Sequence, residues 1–182
     1  MRLALVLLKY NQWEGHVDFL ATARRQMLAG QVNDARERLL ASIEGLSDEK
    51  LTKPGVKGDW SVRDILCNIA AWDRAATECF RAMLTGERRP LLDMDEDGVE
   101  QFEEANYAAN KDKPPAEALA ELTNAREELV SFLRDVPNTE MFAPAPGDEH
   151  ADMSIGACLA VTVSLDDDNA EAIEQWRETK GD

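Results

Sequence analysis

Asp166 and Asn169 stand three residues apart on the last long amphipathic segment of the chain, and Asn68 flanks the apolar stripe of an earlier one. A polar group on a core stripe needs a partner, because leaving it unpaired costs about 1–3 kcal/mol. Two readings follow. In the functional one, Asp166 acts as a general base or carboxylate ligand, and Asn68 and Asn169 orient or polarise a small polar substrate. In the plain one, these groups satisfy each other or water, as buried polar groups usually do. Trp60, Trp72 and Trp176 either wall a ligand cavity or fill the core. The candidate ligand-binding set is therefore Asn68, Trp72, Asn169 and Trp176, with Asp166 the candidate catalytic residue.

Other reactive groups are weaker candidates. Cys67, Cys79 and Cys158 are odd in number and form no CxxC pair, so zinc-ribbon and disulfide-scaffold readings fail. Cys158 lies in the first turn of a helix, where a thiolate is mildly favoured, but neither Cys67 nor Cys158 has a histidine at a dyad spacing. Both read as inert buried thiols. His150, in the loop Gly147 to Asp152, and His16 are solitary. The acidic runs Asp93–Asp97 and Asp166–Asp168 would offer oxygens to a hard cation, yet neither has EF-hand spacing. No metal and no cofactor is expected.

The elements that must position these residues are helical by periodicity. A weak stripe covers about Trp13 to Ala29 and is interrupted at Gly30, and a stronger one covers Val32 to Leu46. Thr52-Lys53-Pro54-Gly55 breaks the chain. Ser61-Val62-Arg63-Asp64 has the pattern of a capping box and opens a helix that Gly86 ends. Further helices are predicted over Val99–Ala109, from Pro114-Pro115 to Val136, and from a Ser154 cap to Thr179. The pattern predicts an all-α, antiparallel up-and-down four-helix bundle over residues 31–180, with an extra N-terminal helical segment over residues 1–30. An alternative reading starts the chain at Met27.

The chain has 182 residues, 44% of them hydrophobic, which suits one domain with a sizeable core. Its net charge is −16. That balance argues against nucleic acid and anionic lipid as partners. The apolar run Leu3–Leu8 is too short for a signal-peptide core or a membrane span, so no membrane association and a cytoplasmic location are expected.

Three stretches carry a family resemblance: Leu46-Ser47-Asp48-Glu49-Lys50-Leu51, Gly58-Asp59-Trp60-Ser61-Val62-Arg63-Asp64-Ile65-Leu66 and Ile69-Ala70-Ala71-Trp72-Asp73. They resemble the DinB-like superfamily, and within it the ClbS/DfsB four-helix-bundle branch. Asn169-Ala170-Glu171-Ala172-Ile173 with Trp176-Arg177 is similar to that family's ending. The resemblance implies a bundle that is often dimeric, and in many members a divalent metal held by three histidines. It also implies thiol-dependent transferases or isomerases in some members, and in the closer branch a hydrolase that protects its producer from a genotoxin. The histidine positions map to Asn68, Leu165 and Asn169, with Asp166 one residue away, and none is histidine. The chain is therefore expected to be a DinB-like bundle without the three-histidine site, binding a small molecule or serving protection, with a homodimer as a further partner. The alternatives are a hydrolase or thiol-dependent transferase with a non-histidine site, or a structural protein acting as a dimer.

Overall fold

The computed structural model describes residues 2–87, 91–144 and 153–180, with side chains from 19 to 179. Seven helices are described: α1 (Arg2–Ile43), α2 (Asp48–Leu51), α3 (Val62–Thr85), α4 (Glu96–Asn110), α5 (Pro115–Asp135), α6 (Asn138–Met141) and α7 (Ile155–Lys180). Among the described residues there is no strand, only an isolated bridge between Lys57 and Trp60. His150 lies outside the described residues, as do Arg88, Arg89 and Pro90.

The predicted starts have physical caps. Ser61 Oγ accepts from the Asp64 N–H, while Asp64 Oδ2 accepts from the Ser61 N–H at 2.9 Å, so two orphan donors are satisfied reciprocally. Gly86 ends α3 at φ 72°, a left-handed position that suits glycine. Ser154 Oγ accepts from the Ala157 N–H at 3.2 Å at the start of α7. Helix α4 begins three residues before its predicted start, because Asp95 caps it by accepting from the Gly98 N–H.

One expectation is corrected. Gly30 does not interrupt the first helix, and the N-terminal segment is the leading part of α1. A single glycine costs only about 1 kcal/mol in a helix interior. Once residues 32–43 are anchored in the core, each further residue adds a hydrogen bond without a new nucleus.

The long helices α1, α3, α5 and α7 make the bundle. Arg36 and Ser42 of α1 meet Asp166 and Arg177 of α7, so these two helices run the same way. Arg74 and Arg81 of α3 meet Glu121 and Glu128 of α5, so this pair also runs the same way. Arg36 and Val32 of α1 meet Leu122 and Arg126 of α5 in the opposite order, which makes the two pairs antiparallel to each other. Two helices thus run up and two down, in chain order up, down, down, up. Helix α4 carries the chain back across α3 so that α5 can descend beside it. It is held there by Phe102 against Trp72, centroids 4.5 Å apart, and by Tyr107 stacked on Trp60 at 5.8 Å.

The core has two apolar compartments. Leu39, Ile65, Ile69, Leu122, Ile173 and Trp176 centre one, and Val32, Phe80, Met83, Leu129, Ile155 and Leu159 the other. Between them lies a charged layer.

Candidate functional site

Each long helix contributes one charged side chain to that layer: Arg36, Asp73, Arg126 and Asp166, exposed by only 8%, 1%, 7% and 0%. Arg36 Nε donates to Asp166 Oδ2 at 2.9 Å, and its Nη2 donates to Asp73 Oδ2 at 3.0 Å. Arg126 donates to both oxygens of Asp73 at 3.0 and 3.1 Å and reaches Asp166 Oδ2 at 3.0 Å. The remaining guanidinium nitrogens donate to the carbonyls of Leu122 and Val32. The ring is closed and neutral, two charges of each sign, as buried ions require. Burial pushes the Asp166 carboxyl up from its ordinary value, and the Arg126 and Arg36 guanidiniums oppose that shift.

A cleft opens beside this layer, between α3, α4 and α7, with a volume of about 450 Å³. Helix α3 supplies Trp72, Ala76 and Phe80 at four-residue spacing, so one face of it lines the wall. Helix α7 supplies Cys158, Val161, Thr162 and Leu165 by the same spacing, and Val99 and Glu103 of α4 form the third side. Leu91, Leu92, Met94 and Met153 close its end. The lining is apolar apart from a few groups. Glu103 is the most exposed to chemistry: its Oε1 accepts from Asn68 Nδ2 at 3.1 Å and from Trp72 Nε1 at 3.2 Å. Asn106 Nδ2 lies 3.5 Å from Asn68 Oδ1 and completes a polar chain along α4.

The structure brings Asn68 and Trp72 together on Glu103, and of these Trp72 and Glu103 line the cleft. It does not bring the other named residues there. Asp166 belongs to the ionic layer and does not line the cleft. Asn169 is buried and spends its Nδ2 on the Leu165 carbonyl at 2.7 Å. Trp176 packs in the first apolar compartment, with its Nε1 lacking a hydrogen-bond partner. Trp60 stacks on Tyr107 and lines a neighbouring groove. Cys67 is buried, and burial pushes its thiol up to about 11. Cys158 lines the cleft, and burial raises its pKa as well. Asp167 pairs with Arg38 at 2.6 Å on the surface, which explains one member of the second acidic run.

The three positions that the resemblance aligns with the family's histidines hold Asn68, Leu165 and Asn169. Leu165 has no side-chain donor atom, Asn68 Oδ1 faces Asn106 Nδ2 at 3.5 Å, and Asn169 Nδ2 donates to the Leu165 carbonyl. Amides are also poor ligands for the softer divalent ions. Among the described residues, no group of three His, Cys, Asp or Glu side chains is arranged to hold a metal.

Sequence reasoning missed Glu103, Arg36, Asp73 and Arg126. Asp73 falls four residues after Ile69, and Arg126 four after Leu122, so each shares a helix face with an apolar residue of the core. Charge at a stripe position was the available signal. Glu103 carried none, since its partners lie on another helix.

The described helices form an all-α bundle with a buried ionic layer. The sequence model of the DinB superfamily matches residues 31–173, so the chain belongs to that superfamily. No curated protein sequence matches the chain significantly. Several solved structures share the fold. An uncharacterised protein from Escherichia coli UTI89 superposes with a TM-score of 0.72 at 13% identity, covering 85% of this chain and 92% of its own. The colibactin self-resistance protein ClbS, in complex with double-stranded DNA, gives 0.71 at 14% identity, covering 84% and 95%. DfsB, described as a sibling lethal factor precursor, gives 0.72 at 14% identity, covering 84% and 94%.

The ClbS complex corrects one expectation. The net charge of −16 was read as excluding nucleic acid, but a protein of this fold is crystallised with a DNA duplex. Overall charge is a sum, and phosphate binding depends on the local distribution of basic groups. Among the described residues, no helix is long and apolar enough to cross a membrane.

Proposed function

We propose that this protein is a small-molecule-binding member of the DinB superfamily, lacking the three-histidine metal site, and that its site is the cleft between α3, α4 and α7. The observation that carries this reading is the cleft itself: about 450 Å³, apolar-walled, with Glu103 and Trp72 at its edge. Ligand sites are commonly concave, about 300–1,000 Å³ in volume, and carry a few convergent polar groups on apolar walls. A reading in which Cys67 or Cys158 serves as a nucleophile is less favoured, because burial raises both thiols above their ordinary value. The self-resistance role named for ClbS supports a protective use, in which the cleft sequesters a reactive molecule.

The test is calorimetric titration with 1-pyrenemethanol, a neutral aromatic alcohol small enough for the cleft. One saturable site is expected. Val161 is exposed on the rim, so Val161→Trp should obstruct the opening without disturbing the core and weaken binding by about tenfold, or about 1.4 kcal/mol. Binding that the variant leaves unchanged would place the site elsewhere.

The DNA complex of ClbS favours a second reading, association with duplex DNA. Titration of a fluorescently labelled duplex at low salt tests it. Saturable binding that weakens as salt rises is the expected signature.

A further inference from the structure

Glu103 belongs to two spaces at once. It lines the apolar cleft on one side of α4, and on the other a groove of about 540 Å³ shared with Asp59, Trp60, Glu100, Glu104 and Tyr107. Its hydrogen-bond partners, Asn68 and Trp72, are both neutral, and both bind the same oxygen, Oε1. Among the described residues no Arg or Lys forms an ion pair with it. Elsewhere on the bundle the half-buried and buried carboxylates have cations: Asp64 has Arg63, Glu121 has Lys113, and Asp73 and Asp166 have Arg36 and Arg126. Among the described residues, then, Glu103 brings a carboxylate to the edge of an apolar cavity with no cationic side chain paired to it. The three other acids that line the groove, Asp59, Glu100 and Glu104, add potential of the same sign. Trp60 and Tyr107 add ring faces, which attract cations.

We propose that the ligand of this cleft is an organic cation: an apolar or aromatic body lodged between α3 and α7, with a protonated amine or guanidinium at Glu103. The proposal rests on the cleft being the ligand site. An anionic head would face four carboxylates, and a neutral one would leave the Glu103 charge uncompensated in a partly desolvated position.

Three probes with one apolar body test it: 1-pyrenemethylamine, 1-pyrenemethanol and 1-pyrenecarboxylate, titrated at pH 7 into the full chain. The amine should bind at least about tenfold more tightly than the alcohol at low salt, and the carboxylate more weakly than both. The advantage of the amine should shrink as salt is added. Glu103→Gln keeps an acceptor for Asn68 and Trp72 and loses only the charge. It should bring amine and alcohol to within about twofold of each other. A thermal melt matching that of the parent confirms that the variant is folded. If amine and alcohol bind the parent equally, the cationic-ligand proposal falls and the cleft reading stands. The proposal also falls if Glu103→Gln retains the full preference, since the preference then comes from the acidic surface at large. If the alcohol fails to bind at all, the cleft reading falls and this proposal falls with it.

Discussion

Cys67 shows what single residues disclose in sequence and what they conceal. As a free cysteine it reads as an inert buried thiol, and it is 2% exposed. Burial raises its thiol from 9.0 to about 11, the nearby Glu121 and Asp64 carboxylates push the same way, and Lys113 opposes them. The direction fixes a pH dependence. In the unfolded chain the thiol loses its proton near 9.0, whereas in the folded protein it holds it to about 11. The stabilisation is whole below pH 9 and is lost as pH rises through 11. Two units correspond to about 2–3 kcal/mol. Urea melts of Cys67→Ala and the parent should therefore run parallel up to pH 9 and converge by that amount toward pH 11, and parallel curves throughout would refute the shift. The cleft residues were only half legible. Asn68 and Trp72 stood out as a polar group and an indole near one stripe, and they do meet. Their meeting point is Glu103, and nothing local distinguishes it from its neighbour Glu104, because the distinction lies in which side of α4 rests on α3.

Helices were the most legible level, since their starts and stops depend on adjacent residues alone. The Ser61 box, the Gly86 stop and the Pro115 start of α5 all follow from local chemistry. The course of α1 through Gly30 did not, because anchoring by distant helices outweighs a small local penalty. Loop-to-helix packing was equally hidden. Gly156, in the first turn of α7, has the Phe142 ring where a side chain would begin: a Cβ there would lie 2.6 Å from one ring carbon and 2.8 Å from another. Arg24 packs over that ring, with its guanidinium carbon 4.6 Å from the centroid. Phe142 follows α6 directly, and a Cβ at position 156 would require its ring to shift. Gly156→Ala would gain up to about 1 kcal/mol of helix propensity, but overpacking costs about 1–3 kcal/mol. The expected result is a net loss of about 1 kcal/mol in urea denaturation. A compensating Phe142→Leu should recover part of that loss, and a Gly156→Ala protein as stable as the parent would mean that the ring moves freely.

At the scale of the molecule, the ionic layer answers why four amphipathic helices adopt one arrangement. Apolar stripes alone would tolerate a helix sliding by a turn, since leucine replaces leucine at little cost. Arg36, Asp73, Arg126 and Asp166 tolerate no slip, because a displaced helix would leave a charge buried without a partner. This gives opposite predictions for breaking the layer and for removing it. Asp73→Asn keeps the shape and deletes one charge that both guanidiniums use. Its expected cost is about 3–5 kcal/mol, the usual cost of orphaning a buried charge. Because the layer is shielded from solvent, that cost should be nearly the same in dilute buffer and in 1 M salt, about the concentration at which surface pairs are screened out. Replacing all four together, with Arg36→Met, Asp73→Leu, Arg126→Met and Asp166→Leu, leaves the net charge at −16, since two charges of each sign go. Apolar replacements of buried ion networks are often neutral or stabilising by about 1–4 kcal/mol. The fourfold variant is therefore expected to match or exceed the parent in urea, while its amide exchange in the bundle centre becomes less protected as alternative helix registers open. If the single variant costs under about 1 kcal/mol, the layer is hydrated rather than buried. If the fourfold variant keeps full exchange protection, the apolar stripes set the register by themselves.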